Sequence, residues 1–179
     1  MDSGLEAAVV ALERRVGELE NRQAILDVYV TYAWLQDGER LDELVDQVFA
    51  ADAALSLGTG MPTHRGRDAI RQSLTIRREL EGTAHYFTNF EITVSGDRAT
   101  ARAYFQSFHW TRETASGGAG RPADFVGAGV YLDEFRREPP GWRITKRERR
   151  NLGPGPLGHG EVPSGFARHL QGWGGAVGD

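Results

Sequence analysis

The 179-residue chain contains no cysteine. Disulfide staples, thiolate metal sites and a cysteine nucleophile are therefore excluded. No apolar run approaches the roughly 20 residues that cross a bilayer as a helix, so no membrane partner is expected. Lys and Arg number 21 against 25 Asp and Glu, a formal charge of −4. That balance argues against general nucleic-acid binding, which needs a basic footprint. The stretch from Met1 to Glu6 has no basic segment leading into an apolar one, the pattern of a secretion signal, and a cytoplasmic protein is expected. His64, His159 and His169 have no carboxylate cluster around them in sequence, and the Gly-rich stretches at 58–60 and 117–120 match no phosphate-loop pattern. No metal and no other cofactor is expected.

The length suffices for one domain with a real core and extensions at its ends. Residues 5–36 follow a helical period. Val9, Leu12, Val16, Leu19, Leu26, Val30 and Ala33 trace an a/d heptad, with Gln23 breaking one step. Its flanks carry Glu13, Arg14, Arg15, Glu18 and Glu20. The first half can bury this stripe only outside the domain core. A partner helix in a homodimer or homotrimer is one solution, and packing on the chain's own domain is the other. Ile25 to Leu35 is apolar on more than one side and should enter the core. Gly38 supplies a stop beside Asp37.

A short helix is expected over Leu41 to Phe49, a short strand over Ala53 to Leu57, and a third helix over Arg67 to Leu80. Four longer strands follow, at Ala84 to Val94, Ala99 to Thr111, Asp124 to Arg137 and Trp142 to Arg150. Ser95-Gly96-Asp97-Arg98 and Glu138-Pro139-Pro140-Gly141 read as hairpin turns, and residues 114–122 as a Gly- and Ser-rich loop. Three helices followed by hairpin-joined strands indicate an α+β fold with a curved antiparallel sheet. Gly and Pro dominate from Leu152 onward, with one possible short helix over Ser164 to Trp173.

Several short motifs fall in a telling order. Tyr32 stands five residues before Asp37, and Phe49-Ala50-Ala51-Asp52-Ala53 follows. Next come Gly66-Arg67-Asp68-Ala69-Ile70, His85 with Asn89, and Gly96-Asp97-Arg98-Ala99. Gly129-Val130-Tyr131-Leu132-Asp133 and Gly141-Trp142-Arg143-Ile144 close the series. Together they resemble the SnoaL-like group of the nuclear-transport-factor-2-like superfamily. The resemblance implies a cone, in which a bent antiparallel sheet wraps about three N-terminal helices around a pocket. On it, residues 1–20 are a helical extension, 21–151 the cone and 152–179 a C-terminal arm. The superfamily includes scytalone and bile-acid dehydratases, ketosteroid isomerase, polyketide cyclases, limonene epoxide hydrolase and small subunits of ring-hydroxylating dioxygenases. Such a fold does not choose the chemistry.

Asp37 and His85 are a carboxylate and an imidazole, the groups general acid–base catalysis uses most. In the dehydratases the matching histidine takes the substrate proton and the matching carboxylate pairs with it. The competing readings are a solvated aspartate beside a helix end and a core histidine bonded to backbone. The negative end of the helix dipole should raise the Asp37 pKa. A carboxylate partner should hold His85 at or above about 6.5 unless burial outweighs it. His85, Phe87 and Asn89 alternate onto one strand face. Phe105, Ser107 and His109 share a face of the next strand. The resemblance implies a second site histidine near His109 and an acid near Ser107; a rim histidine beside Trp110 is the alternative. Tyr32 would hold a water or substrate oxygen, or simply pack. Trp34, Phe87, Phe105, Phe125 and Tyr131 are candidates to line an aromatic-accepting pocket. Gln36 replaces a tyrosine of scytalone dehydratase. Arg143, Lys146, Arg147, Arg149 and Arg150 read mostly as a solvated sheet face, with Arg149 a candidate for a substrate carboxylate or phenolate.

The resulting expectation is a cofactor-independent acid–base enzyme. It would be a dehydratase or cyclase of a polycyclic or polyketide-like small molecule. An isomerase, an epoxide hydrolase and a non-catalytic ligand-binding or assembly module are the alternatives. The hydrolase would need an Asp–Arg–Asp set, for which Arg102 with Asp133 is the strand pairing available.

Overall fold

A computed structural model of the chain describes residues 3–58, 60–112 and 120–152. The short helix expected at 164–173 and most of the C-terminal arm lie outside the described residues.

Helix α1 runs unbroken over Ser3–Asp37. From Ile25 on, residues three and four apart turn inward, and Ile25, Val28, Tyr29, Tyr32 and Leu35 are buried. Earlier, Val9, Leu12, Val16 and Leu19 stand exposed. Helix α2 covers Leu41–Val48 and buries Leu44, Val45 and Val48. Helix α3 covers Gly66–Leu74 and gives way to a 3-10 turn, Thr75–Glu79, so the third helix is shorter than its periodicity suggests. Ser73 and Thr75 hydroxyls donate to the carbonyls of Ile70 and Gln72, each at 2.7 Å. Such local bonds compete with helix continuation.

The strands are β1 (Phe49–Ser56), β2 (Thr63–Arg65), β3 (Leu80–Ser95), β4 (Arg98–Thr111), β5 (Phe125–Glu138) and β6 (Gly141–Asn151). They form one curved, unclosed sheet in the order β2-β1-β6-β5-β4-β3. Strands β3 to β6 are an antiparallel meander. β1 lies parallel to β6, so the sheet is mixed rather than wholly antiparallel. These two strands are not joined by a hairpin, and nothing forces them to run in opposite directions.

Alternation along β4 is strict. Ala99, Ala101, Ala103, Phe105, Ser107, His109 and Thr111 are all buried, and their neighbours are not. Strand β3 breaks its alternation at a bulge between Thr88 and Glu91, where Asn89 adopts φ 54°. Phe90 takes the inward place, with its ring 5.1 Å from that of Tyr29. Bulges of this kind bend the strand and re-aim side chains.

Candidate active site

Asp37, the last residue of α1, meets the edge strand β3. Its Oδ1 lies 2.6 Å from His85 Nδ1 and accepts the Thr83 hydroxyl at 2.8 Å. Its Oδ2 accepts the His85 backbone N–H at 2.9 Å. One carboxylate thus holds the imidazole and the strand that carries it. The His85 side chain is 2% exposed and that of Asp37 26%. Burial alone would raise the Asp37 carboxyl, but the His85 ring, its backbone N–H and Thr83 hold it below its ordinary value. The helix-end effect expected to raise it is outweighed. Burial lowers the His85 pKa, with Arg77 and Arg147 adding to the effect, against the opposing pull of Asp37. The net shift favours the neutral imidazole. A carboxylate at Nδ1 selects the tautomer that leaves a lone pair on Nε2. Nε2 has no hydrogen-bond partner among the described residues.

Registers across β3, β4 and β5 gather the rest of the inward face. Thr83 pairs with His109, His85 with Ser107, and Phe87 with Phe105. The His109 ring is buried, stacked on Phe125 at 4.4 Å and edge-on to His85 at 5.8 Å. Its Nε2 meets the Ser107 hydroxyl at 2.9 Å, while Nδ1 has no partner among the described residues. Burial, then Arg77, His85 and Arg149, depress its pKa well below the usual histidine range. It is a core-facing residue, not a rim residue. Tyr32 is buried between His85, Phe87 and Tyr131. Tyr131 stacks on Phe105 at 4.6 Å, an approach that Gly129 permits. A Cβ on Gly129 would stand 2.5 Å from the Phe105 ring and 2.3 Å from the Arg150 carbonyl oxygen. Arg149, opposite Tyr131 on β6, is buried and its pKa is pushed down to about 10 by that burial.

Two sequence candidates fall elsewhere. Asn89 is exposed, because the bulge removes it from the face of His85 and Phe87. Trp34 is 75% exposed on the outer side of α1, outside the interior, where it borders the apolar groove that also takes in Asp37 and His85.

Three features were not legible as site features. Arg147, expected on a solvated face, is fully buried, and so is Asp133, whose carboxylate it grips with two bonds of 2.9 and 2.7 Å. The Tyr29 hydroxyl donates to the same carboxylate at 2.6 Å. The Arg147 guanidinium lies 4.2 to 5.3 Å from the rings of Tyr131, Tyr32 and Tyr29. Arg102 instead points outward and pairs with Glu91, so an Arg102–Asp133 pairing is overturned. Gln36 is buried with neither amide atom partnered among the described residues. Arg77, from the 3-10 turn, bears on His85, His109, Tyr131 and Arg149 by its charge. A Gln beside the helix-end Asp was the one available signal; Arg77 had none, since only folding brings that turn to the strand.

Two depressions flank the Asp37–Thr83–His85 link. One of about 290 Å³ is lined by Gln36, Thr83, Arg77, Arg78 and Arg112. The other, of about 610 Å³, is an apolar groove between α1 and β3 that includes Leu26, Val30, Ala33 and Phe90, with Asp37 and His85 in its wall. Among the described residues no group of three or more His, Asp or Glu is arranged to hold a metal ion.

The SnoaL-like domain family profile matches residues 17–148. The uncharacterized protein Rv2910c of Mycobacterium tuberculosis is 30% identical over 135 residues, 74% of this chain and 86% of that protein. A provisionally named aromatic ring hydroxylase from Novosphingobium aromaticivorans superposes with TM-score 0.65 at 31% identity, over 76% of this chain and 92% of that one. A provisionally named scytalone dehydratase from the same organism gives TM-score 0.66 at 25% identity, over 76% and 87%.

Proposed function

The chain belongs to the SnoaL-like domain family, and on that premise we propose that it is a cofactor-independent acid–base enzyme. Its reaction is the dehydration or cyclisation of a compact polycyclic, aromatic or polyketide-like molecule. The observation that carries this reading is the Asp37–His85 contact of 2.6 Å with Nε2 left unengaged.

In a dehydration, His85 Nε2 removes a proton from the carbon next to a carbonyl. The C–H electron pair moves onto the carbonyl oxygen as an enolate, whose collapse forms the new C=C bond as the C–O bond of the departing hydroxyl breaks. The proton on Nε2 then passes to that hydroxyl, which leaves as water and returns His85 to its neutral state. Asp37 stabilises the imidazolium between the two transfers. The depressed His85 pKa serves both halves: the ring is unprotonated before reaction, and its conjugate acid gives the proton back readily. The charge of Arg77, which bears on the His85 ring, favours an enolate oxygen in front of it. His109 and Gln36 offer hydrogen-bonding atoms without a partner among the described residues, and Tyr32, Phe105 and Tyr131 supply flat apolar contact. The structure named as a scytalone dehydratase is consistent with this class of chemistry. A cyclisation would use the same proton shuttle with a carbon nucleophile in place of hydroxide loss.

The test is a screen of hydroxylated polycyclic and polyketide-like ketones, with products read by mass spectrometry. Loss of 18 mass units would identify dehydration, and an isomeric product cyclisation or isomerisation. Turnover that survives intact in His85→Ala would refute the proposal.

A further inference from the structure

We propose that α1 forms a parallel, in-register, two-stranded coiled coil with a second copy of this chain, and that the partner's helix covers the apolar groove beside Asp37 and His85. With Val9 as position a, the a series is Val9, Val16, Gln23, Val30 and the d series Leu5, Leu12, Leu19, Leu26, Ala33. Leu5 through Leu19 are 44–66% exposed at these positions and Val30 is 52% exposed. The helix uses a different face inside the cone, that of Ile25, Val28, Tyr32 and Leu35. It therefore carries two apolar faces, and only one is covered by its own domain. Its first turns expose Leu5, Val9, Leu12 and Val16 to water, and a short helix is marginal alone in water.

The identity of the occupant follows from the side chains. β-Branched residues at a with Leu at d favour two strands over three, and a single polar residue at a, here Gln23, fixes register. The e positions are Glu6, Glu13, Glu20, Asp27 and Trp34, acidic at the first four, and the g positions include Arg15 and Arg22. In a parallel pair each g residue faces the e residue five positions on in the partner. Arg15 then meets the partner's Glu20 and Arg22 the partner's Asp27. An antiparallel pair would instead set the acidic e row against itself. The same seam continues as the floor of the 610 Å³ groove through Leu26, Val30 and Ala33. A partner helix seated on the seam lies along that groove. Asp37 and His85 stand in the wall of that groove, so the partner's helix would line the space in which substrate meets His85. That last step rests on the acid–base reading of His85, whereas the coiled coil does not.

The experiment uses the full chain, whose lack of cysteine gives a silent background. Sedimentation at micromolar concentration should show a dimer, and Leu12→Glu with Leu19→Glu a monomer that keeps its β-sheet signal. A wild-type monomer or trimer would overturn the proposal. On mild oxidation Leu12→Cys and Val30→Cys should each give a covalent dimer, since in a parallel register identical a or d residues face each other. A dimer in which Leu12→Cys fails to cross-link would overturn the parallel register. Cross-linking at 12 but not at 30 would overturn the covered groove. Arg15→Glu with Arg22→Glu should weaken dimerisation by about tenfold or more, and Glu20→Arg with Asp27→Arg should restore it. Dimerisation untouched by the first pair would remove the charge argument. These readouts do not depend on turnover, so failure of the acid–base reading leaves them interpretable.

Discussion

Asp37 binds His85 twice, through the ring nitrogen at 2.6 Å and through the backbone N–H at 2.9 Å. The same carboxylate therefore orients the imidazole and fixes the position of the edge strand against the end of α1. Side-chain orientation and strand placement are coupled at this point, which separates two kinds of substitution.

His85→Ala should fold and lose about 10²–10⁴ in turnover on any accepted substrate. Asp37→Asn should lose rate as well, because it keeps the shape but not the charge that supports an imidazolium. Steady-state rates checked against circular dichroism measure both. An inactive but unfolded His85→Ala would redirect the test to His85→Gln.

The pH dependence follows from the direction of the His85 shift. Burial lowers its pKa and Asp37 opposes that, so the acid limb of kcat/KM should have its midpoint below about 6.5. Asp37→Asn removes the opposing influence and should move the midpoint lower still. A midpoint above 6.5 would show that the pairing, not burial, dominates.

Stability should also fall in acid. The folded-state pKa values of His85 and His109 are depressed, so the unfolded chain takes up protons first as pH drops below about 6.5. The stability these neutral rings contribute is complete above that pH and is lost on passing down through their folded-state values. Asp37, also depressed, adds a second loss as pH falls from about 3.9 through its own folded value. Urea unfolding midpoints between pH 7.5 and 4.5 should decline, and His109→Gln should flatten the slope.

Breaking the buried pair should be costly. Asp133→Leu or Arg147→Met leaves one buried charge without its partner, a loss of about 3–5 kcal/mol. Asp133→Leu with Arg147→Met should cost far less than the two single changes summed. Denaturant titration of the four proteins forms the cycle.

Gly129→Ala should destabilise by about 1–3 kcal/mol. The added carbon meets a backbone oxygen at 2.3 Å as well as the Phe105 ring, and the backbone cannot move aside without shifting β6 against β5. Thermal unfolding would measure it, and a neutral result would mean that the two strands can separate locally.

The order of elements was legible because helix and strand periods are local properties. The 3.6-residue period of Ile25 to Leu35 and the two-residue period of Ala99 to Thr111 each report which side of the backbone is apolar. They marked α1 and β4 to within a few residues. Asp37 and His85 could be singled out as residue types, and the heptad seam of α1 could be read down to its unpartnered half.

Register and burial are properties of pairs distant in sequence, and only the folded chain decided them. Strict alternation would have put Asn89 beside His85, but a bulge between Thr88 and Glu91 turned it to solvent. Trp34 is apolar, yet it sits on the helix face that the cone leaves uncovered. Arg147 looks in sequence like Lys146 and the other basic residues of its strand, but the register of β5 and β6 places it opposite Asp133, on the inside. Short-range chemistry specified which elements form. The pairing of strands across the sheet, cumulative in every residue and sensitive to a single bulge, determined which side chains met.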